Sequence, residues 1–495
     1  MKASDSEIVY DLLVVGGGIQ GAWLALEAAR TGRKVALLER DDFGAGTSAN
    51  SLKVLHGGLR YLQHGNLKRI RESRRSVKAF RAVAGDWIEE VPFFLETKGS
   101  GVRGPWAMRG AFGLFGLLSR IWGDGGKGPQ GRVFSGDPTR QVPGGVFSPS
   151  ANGVARWNEA VMRNSERIVF EVVRAAERCG ADCLNYCEVS AIAKVSERWA
   201  ARVVDRRTGE SGTVLANQVV EATGPRVEEE VGNEALSLLR GVNLVFQGTP
   251  FGTQAVGLES RDASHDLDAL VKRGNRLLFF VPRGDQTMVG TWYDRLEDAS
   301  AEVTENDLER WLEEIHSVAP DLGFHRRNLR YIHSGLLPAD ERNELSAQPA
   351  KESAILPVTA GRFAVRTVKF TTAPEMARAT LEKMGFELAP RLAPTKQTEP
   401  PPPPYPWEDL LRSDVDVDPK VLEVAVREEK VVHLDDALLR RSNVALDDFC
   451  GEEKFILAAT RLGAMLGWDE TRRSSEVTRV LDRLRWSKVR PSVEQ

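Results

Sequence analysis

The alternation of apolar and polar positions at the start of the chain predicts a β-α-β unit over residues 10–40. Residues 11–15 and 34–38 are apolar runs of the length that buried strands have. Between them, residues 19–31 repeat their apolar positions with helical spacing, and this pattern ends at Gly32. A buried strand, a helix and a second buried strand favour a parallel sheet that is covered by helices.

Further along the chain, the pattern changes repeatedly between helical and strand-like periods. A strongly basic stretch at 66–84 and a longer stretch at 159–179 predict helices, whereas residues 99–147 are rich in glycine and predict an irregular segment. Residues 277–282 and 287–291 predict a hairpin. Strands are also predicted near 189–193, 201–205 and 218–222, and residues from 421 onward are predicted to be helical and charged.

This order of elements predicts an α/β fold. It combines a Rossmann-type nucleotide-binding domain, a β-rich substrate domain inserted into it, and a C-terminal helical domain. Five consecutive prolines at 400–404 indicate a stiff, extended spacer. We expect the nucleotide-binding domain to comprise 8–90, about 150–235 and 350–390, the substrate domain about 91–149 and 236–349, the linker 391–406, and the helical domain 407–495.

The composition narrows the class of protein. A chain of 495 residues can bury several cores, and a net charge of -3 gives no basic field for nucleic acid. No apolar run reaches the ~18 residues of a membrane-spanning helix, and the polar first residues lack the apolar core of a secretory signal. With only four cysteines, a disulfide framework is not expected, and a reducing cytoplasm fits.

Three of these cysteines are evenly spaced, at Cys179, Cys183 and Cys187. The sequence Gly180-Ala181-Asp182 predicts a helix end, so the three thiols would lie across a helix, a turn and a strand. A metal site needs ligands that converge. We therefore expect structural or free thiols here, and no metal.

A glycine-rich turn follows the first predicted strand. Residues 16–21, Gly-Gly-Gly-Ile-Gln-Gly, contain the G-x-G-x-x-G pattern and open a helix, a combination typical of dinucleotide binding. In this pattern Gly16 permits the tight turn, Gly18 lets the pyrophosphate approach the backbone, and Gly21 lets helix and strand pack closely. The acid at the end of the next strand, Glu39, can accept hydrogen bonds from the ribose hydroxyls and would repel the 2′-phosphate of NADP.

The segment after Glu39 favours FAD over NAD. An NAD-binding domain would continue with another β-α crossover, but here small and polar residues over 42–48 lead to a second glycine pair, Gly57-Gly58. Such a segment can place its backbone against a flat ring system. The later strand that ends in Ala222-Thr223-Gly224 adds a second dinucleotide contact that is frequent in flavoproteins.

Residues 42–61, with their Gly-Thr-Ser and His-Gly-Gly-Leu-Arg-Tyr-Leu sequences, closely resemble the flavin-contacting segment of FAD-dependent glycerol-3-phosphate dehydrogenases, in the D-amino-acid-oxidase-like superfamily. The resemblance is specific over the first 65 residues and patchy beyond, where it includes residues 222–225, 369–372 and 432–441. It implies an enzyme that oxidises the CH–OH group of a small molecule, glycerol 3-phosphate or a related polyol or acid, by hydride transfer to FAD. It also implies a quinone or another electron acceptor, and it leaves a homodimer open.

The resemblance and the glycine turn together define the expected cofactor contacts. They are Gly16, Gly18, Gln20, Gly21, Glu39, Arg40, Thr47, Ser48, Lys53, Leu55, His56, Gly57, Gly58, Ala222, Thr223, Gly224, Lys369, Phe370 and Thr371. The sequence Thr372-Ala373-Pro374-Glu375 predicts a capping box and the start of a helix. By resemblance that helix N-terminus faces the flavin, and Lys369 would add positive charge beside the reduced ring.

The expected catalytic residues are His56, Arg60 and Lys369, and the expected substrate contacts are Arg60, Tyr61, Arg366 and Thr372. Arg60 suits a carboxylate or a phosphate through paired hydrogen bonds, although a structural ion pair is the alternative. Neutral histidine is the commonest general base near pH 7. His56 is the best-placed histidine and His333 the second, and a packed imidazole is the alternative for both.

Two positions depart from the family on the substrate side. Asn243 stands where the family carries a histidine that is a candidate proton acceptor, and Leu337 stands where it carries a phosphate-binding arginine. Two further hypotheses therefore stay open. One is an amine or amino-acid oxidase of the same superfamily that uses oxygen, and the other is a flavoprotein that has lost its catalytic activity.

The family is peripherally membrane-bound, and two segments of this chain are compatible with that property. The predicted basic helix and the apolar stretch from Trp106 to Trp122 could together contact an anionic bilayer on its cytoplasmic face. The alternative is a solvated helix beside a buried loop. The basic residues of that helix are Lys68, Arg69, Arg71, Arg74, Arg75, Lys78 and Arg81.

Overall fold

The computed structural model describes residues 8–58, 66–101, 103–122, 131–136, 142, 146–232, 237–263, 275–296, 302–340, 348–350, 352–392, 405, 407–447 and 451–484. Arg60, Tyr61 and the five prolines at 400–404 lie outside the described residues. Two large sheets and a group of C-terminal helices make up this part of the chain.

The strands are β1 (Val9–Val15), β2 (Val35–Leu38), β3 (Val54–Leu55), β4 (Ile88–Lys98), β5 (Arg132–Ser135), β6 (Ala151–Met162), β7 (Asp182–Leu184), β8 (Cys187–Val195), β9 (Arg198–Asp205), β10 (Ser211–Glu221), β11 (Leu238–Gln247), β12 (Ala255–Ala263), β13 (Asn275–Arg283), β14 (Gln286–Arg295), β15 (Leu329–Pro338), β16 (Ala354–Thr359) and β17 (Arg362–Arg366). The helices are α1 (Ile19–Ala29), α2 (Leu67–Ala84), α3 (Pro105–Ile121), α4 (Ser165–Arg178), α5 (Val227–Glu230), α6 (Glu305–Val318), α7 (Ala373–Lys383), α8 (Pro419–Glu428), α9 (Val444–Asp447), α10 (Gly451–Leu466) and α11 (Glu470–Leu484).

The first sheet has the order β16-β17-β10-β1-β2-β7, with the β8–β9 hairpin attached to β10. Its central strands β17, β10, β1, β2 and β7 run parallel. Helices α1, α2, α4 and α7 cover one face, where the apolar core includes Trp23, Phe80 and Phe170. The predicted β-α-β unit and its parallel sheet are confirmed. Because parallel strands share one direction, the segments that leave β1, β10 and β17 all emerge at the same edge.

The second sheet has the order β15-β11-β14-β13-β12-β4-β6-β3, with β5 attached to β6, and its pairings are antiparallel except for β12 with β4. Helix α6 covers one face, over a core that contains Trp292 and Trp311. On the other face Val245 and Tyr331 pack against Leu52, which belongs to the segment that precedes β3. This segment therefore lies between the two sheets.

The C-terminal helices form their own apolar core around Trp407, Leu438 and Phe455. One turn of this region, Asp436–Arg441, is a π-helix, and its six residues are all buried. The helical C-terminal region that the sequence predicts is confirmed.

Several boundaries differ from the prediction. The predicted basic helix is present as α2, with Asn66 as its cap, and the predicted β13–β14 hairpin is present. The helix predicted from residue 159 is wrong at its start: residues 151–162 are strand β6, which pairs with β4. The side chain of Asn164 accepts a hydrogen bond from Arg167 N, so the helix begins only at Ser165.

The glycine-rich segment at 99–147 contains a helix, α3, that the sequence analysis did not predict. Its buried residues Phe112, Phe115 and Ser119 follow one helical face, because they are three and four positions apart. Among the described residues, no helix is long and apolar enough to cross a membrane.

We expect Phe80→Ala to lower the free energy of unfolding by about 3–5 kcal/mol, because it leaves a cavity in the first core. The Phe80 ring stacks on Phe370 with centroids 5.5 Å apart and meets the edge of Trp23 at 5.3 Å. Urea unfolding followed by tryptophan fluorescence would measure the change. Leu67→Ala, at an exposed position of the same helix, is the control and should cost less than about 0.5 kcal/mol. Equal costs for both variants would contradict this packing.

Candidate active site

The glycine turn between β1 and α1 is fixed by backbone contacts at two of its positions. Gly16 has φ +102°, and a Cβ there would lie 2.6 Å from Ala222 O. A Cβ at Gly21 would lie 1.8 Å from Gly16 O. Both glycines are therefore required by the fold itself, since strand, turn and helix leave no room for a side chain.

Gly18 is different, because neither its backbone conformation nor its protein surroundings require glycine. Its φ of -72° and ψ of -178° are open to any residue. Within the part of the chain that the structure describes, only Ser48 Oγ comes within 4 Å of an added Cβ, at 3.2 Å. The missing side chain leaves space at the N-terminus of α1, where a helix favours a phosphate group. This space fits the pyrophosphate of a dinucleotide.

Glu39 lies at the end of β2 and turns its carboxylate towards this turn. Its Oε2 accepts a hydrogen bond from Gly17 N at 2.6 Å, and its Oε1 accepts one from Asp41 N at 2.8 Å. Burial raises the pKa of Glu39. The Ser48 hydroxyl accepts a hydrogen bond from Ile19 N at 3.1 Å. The structure thus places Glu39 and Ser48, both predicted cofactor contacts, beside the glycine turn.

Gln20 supports a ligand at this position independently. Its side chain is 4% exposed, and neither Oε1 nor Nε2 has a hydrogen-bond partner among the described residues. Buried polar atoms are nearly always hydrogen-bonded, so this amide is compatible with a polar group that binds close to the start of α1. Arg40 lies on the surface, where its mostly exposed guanidinium is 3.5 Å from Asp41.

The segment after the first β-α-β unit crosses to the second sheet. Thr47 Oγ1 donates a hydrogen bond to Leu336 O on β15 at 3.1 Å. The buried Lys53 Nζ donates to Ala49 O, Ser165 Oγ and Glu166 Oε2 at 2.7, 2.6 and 2.7 Å. Because these three bonds use all the N–H groups of the ammonium, a cofactor could contact Lys53 only through its backbone. The Leu55 side chain is fully buried in the first core.

Beyond Leu55, a buried acid that the sequence analysis missed holds the glycine pair. Gly57 N donates to Glu159 Oε2 at 2.8 Å, and Trp157 Nε1 donates to Oε1 at 3.2 Å. Burial raises the pKa of Glu159 to about 7. His56 is exposed next to this bond. Glu159 was missed because residues 159–162 were predicted as helix, a prediction that gives no pairing between β6 and the segment around Gly57.

Residues 222–224, which follow β10, and residues 367–372, which follow β17, reach the edge of the first sheet where the glycine turn lies. Ala222 N donates to Val15 O at 2.8 Å, which places Ala222, Thr223 and Gly224 beside the glycine turn. Arg366 ends β17, which neighbours β10, and Lys369 follows it. Phe370 and Thr371 form a short 3₁₀ turn with Thr372 that leads into α7.

The predicted helix start at Ala373, with Pro374 in the first turn, is confirmed, but the predicted capping box is wrong. The Thr372 hydroxyl donates to Lys369 O at 2.9 Å instead of accepting from the helix. The Glu375 carboxylate forms two hydrogen bonds to Arg391, both 2.9 Å long. Both side chains that a capping box needs are therefore engaged elsewhere.

The face of the second sheet that meets residues 47–58 carries Asn243 and His333, which lie opposite each other on β11 and β15. Asn243 Oδ1 accepts a hydrogen bond from Thr291 Oγ1 at 2.7 Å. Two residues beyond His333 on the same face, a Cβ at Gly335 would lie 3.0 Å from Asn50 Cβ.

His333 is held neutral in this position. Burial, with the charges of Lys53 and Arg283, lowers its pKa well below the ordinary value. Its Nε2 has no hydrogen-bond partner within the described ranges. A neutral ring with a bare nitrogen can accept a hydrogen bond or donate one, according to its tautomer.

Comparisons with known proteins agree with this geometry. Residues 11–380 match the family model described as FAD dependent oxidoreductase. The chain is 27% identical to glycerol-3-phosphate dehydrogenase of Synechocystis sp. over 348 residues, which cover 66% of this chain and 60% of that protein. It is 28% identical to aerobic glycerol-3-phosphate dehydrogenase of Staphylococcus aureus, over 66% of this chain and 58% of that protein.

Among solved structures, the glycerol-3-phosphate dehydrogenase from Bacillus halodurans complexed with FAD has the same fold, with a TM-score of 0.68 and 20% identity. That similarity covers 99% of this chain and 97% of the other. The chain therefore belongs to the FAD-dependent oxidoreductase family, and its cofactor is FAD. The aligned part spans about 60% of the length of the two curated relatives.

We expect the purified protein to carry one non-covalent FAD per chain and Gly18→Val to lose it, because a branched side chain would fill the space that the pyrophosphate needs. The visible absorbance of bound flavin, measured against protein concentration after gel filtration, gives the occupancy. Gly85→Ala is the control, since a Cβ at Gly85 meets nothing within 4 Å among the described residues and lies outside the glycine turn. Full occupancy in Gly18→Val would disprove the assignment.

Proposed function

We propose that the protein is an FAD-dependent dehydrogenase that oxidises the secondary alcohol of glycerol 3-phosphate or of a related polyol or acid. The observation that carries this proposal is the position of residues 47–58. They join the glycine turn to the sheet face that bears Asn243 and His333. A substrate bound against that face would lie next to the flavin. The names of the two curated relatives point to the same reaction.

The bound FAD would accept the hydride, and the protein would supply orientation and charge. Helix α7 begins after β17, so its N-terminus would direct its positive dipole end to the edge of the sheet where the glycine turn lies, and we propose that Lys369 adds positive charge there. Together they would favour negative charge on the reduced ring. We propose Arg60, Tyr61, Arg366 and Thr372 as substrate contacts, and His56 as the group that accepts the hydroxyl proton.

The substrate side departs from the family at two positions. Asn243 is an amide whose oxygen is already bonded to Thr291, so it cannot act as a base. Leu337 brings an apolar side chain to a place where the family has an arginine. A buried phosphate that has no cationic partner is costly because it loses its hydration. Leu337 therefore favours a substrate with less negative charge than glycerol 3-phosphate, unless Arg60 or Arg366 supplies the lost charge.

Unless Arg60 or Arg366 supplies the lost charge, we expect weak turnover of glycerol 3-phosphate by the native protein. The double variant Leu337→Arg with Asn243→His should turn it over faster. Loss of one member of a charged pair costs about 2–5 kcal/mol in binding, or roughly 30- to 4000-fold. Steady-state reduction of an artificial acceptor compares the two proteins. Efficient turnover by the native protein, unchanged in Arg366→Ala, would show that other residues bind the phosphate.

Anaerobic reduction of the bound flavin by a panel of substrates tests the proposal itself. Reduction by a polyol phosphate, a polyol or a hydroxy acid supports an alcohol dehydrogenase. Reduction by amines or amino acids alone would support the oxidase alternative. No reduction by any member of the panel, with dithionite still reducing the flavin, would support a flavoprotein without catalytic activity.

We further propose that the protein works at a membrane surface, where a quinone could accept its electrons. Helix α3 supports this proposal, because its exposed side includes Trp106 and Ile121, which are 80% and 67% exposed, with Leu114 and Leu117 between them. These positions fall on one helical face. An amphipathic helix of this kind can lie in the interface of a bilayer.

The basic helix α2 offers less free positive charge for membrane contact than its composition implies. Arg69 pairs with Glu352 at 2.9 Å, and Arg81 pairs with Glu90. Arg74 is buried, with its guanidinium over the ring of Phe115 on α3. Much of the positive charge of α2 is thus neutralised or used to hold α3 in place. The apolar face of α3 is the better candidate for membrane contact.

We expect the protein to bind anionic lipid vesicles in a sedimentation assay, and to bind less as salt rises, because charges are screened within about 10 Å at 0.1 M. Leu117→Glu with Ile121→Glu should abolish binding by placing charge on the apolar face. Ile456→Glu, at an exposed position of α10, is the matched control and should bind like the native protein. Equal binding by all three proteins would refute a role for α3.

A further inference from the structure

Two arginines of the C-terminal helices converge on one carboxylate next to the glycine turn. Arg441 Nη1 and Nη2 donate to the two oxygens of Asp42 at 2.7 and 2.8 Å, a paired arrangement. Arg440 Nε donates to Asp42 Oδ2 at 2.7 Å, and Asn185 Nδ2 donates to Oδ1 at 2.9 Å. Asp42 therefore accepts four hydrogen bonds, two at each oxygen of its carboxylate.

This carboxylate is buried and stays charged. Burial alone would raise the pKa of Asp42, but Arg441 and Arg440 hold it below its ordinary value. Removing charged groups from water is costly, and a buried ion pair often stabilises a fold no better than apolar residues would. Such a network is therefore weak evidence for added stability, whereas its many directed bonds restrict the position of Asp42 closely.

The position of Asp42 matters because its neighbours wrap the glycine turn. Asp41 N donates to the Glu39 carboxylate, which also accepts from Gly17 N. Phe43 packs so close to the turn that a Cβ at Gly17 would lie 2.6 Å from its ring. Gly44 N donates to Gly17 O at 3.0 Å. Residues 39–44, which we call the acid loop, thus shape the place for the ribose and pyrophosphate.

The two arginines are themselves held rigidly. Arg441 Nε donates to Glu429 O at 2.8 Å, and its guanidinium lies 3.9 Å from the centre of the Phe170 ring. Arg440 pairs with Asp435 at 2.8 Å and also with Asp436. Both belong to the π-helical turn Asp436–Arg441, a rare conformation that is often found at functional sites.

We propose that the C-terminal helical region is a positioning element for FAD, in which Arg440 and Arg441 fix Asp42 and thereby hold the acid loop in its cofactor-binding conformation. Neither arginine touches the cofactor or the substrate in this proposal, so both are positioning residues and not catalytic ones. The proposal depends on FAD binding and not on the identity of the substrate.

Other contacts keep the C-terminal helices attached when the Asp42 bonds are removed. Asn164 Nδ2 donates to Leu439 O and Ser442 O at 3.1 and 3.0 Å, on both sides of the arginine pair. Arg167 pairs with Glu429 at 2.7 Å, and Lys430 pairs with Glu177 at 2.9 Å. The attachment of the helices and the restraint of the acid loop can therefore be separated by mutation.

The test compares FAD affinity with stability in matched variants of the full chain. Asp42→Asn keeps the shape of the side chain and removes its charge, and Arg441→Gln removes the paired donor. Asn164→Ser is the control, since it removes the donors to the C-terminal helices while a serine can still cap α4. Each apoprotein is titrated with FAD by flavin fluorescence, and its unfolding in urea is measured without FAD.

We expect Asp42→Asn and Arg441→Gln to raise the Kd for FAD about tenfold or more, the change that a distorted binding loop would cause. Asn164→Ser should change the Kd for FAD less than about twofold, even if its unfolding midpoint in urea falls as far as those of Asp42→Asn and Arg441→Gln. Arg441→Lys should restore only part of the affinity, because an ammonium cannot form the paired bonds of a guanidinium. An unchanged Kd in Asp42→Asn, or a Kd that follows stability equally in all variants, would overturn the proposal.

Discussion

A turn made of glycine backbone carries the chain from β1 into α1, and close contacts exclude a side chain at two of its positions. A Cβ at Gly21 would meet Gly16 O, and a Cβ at Gly16 would meet Ala222 O, so the turn after β1 packs directly against the start of α1 and the residue after β10. The ends of β2 and β17 lie at the same edge of the sheet as this turn, because β2 pairs in parallel with β1 and β17 pairs in parallel with β10. The parallel sheet brings to this edge three residues that are far apart along the chain, Glu39, Ala222 and Lys369.

The parts of the site that sequence patterns predicted are those built from short segments. The glycine turn, the acid at Glu39 and the helix after Lys369 each depend on a few consecutive residues, so their spacing alone specifies them. The prediction of a helix from residue 159 was wrong because residues 151–162 form a strand. That strand is stabilised by pairing with β4, which is distant in sequence. The pairing of β6 with β3, which is also distant in sequence, places Glu159 beside Gly57.

Long-range contacts also explain why side-chain roles were harder to predict than positions. Lys53 was expected at the cofactor, but its ammonium is directed to Ser165 and Glu166, more than a hundred positions away. The capping box failed because Arg391 engages Glu375. Neither partner has a recognisable spacing from the residue that it binds. The pairing of Asn243 with His333 depends in the same way on the register of β11 and β15.

The bonds between Asp42 and the two arginines have a consequence for the way the protein is made. Asp42 is separated from Arg440 and Arg441 by 398 and 399 positions. At a synthesis rate of about 5–20 residues per second, the ribosome adds these arginines roughly 20–80 s after Asp42. During that interval the N-terminal half of the nascent chain can pair its strands, but neither arginine that binds the Asp42 carboxylate has been translated. Docking of the C-terminal helices onto Asp42 therefore follows the synthesis of the nucleotide-binding strands, and a chain that stalls before residue 440 lacks both arginines that hold this carboxylate.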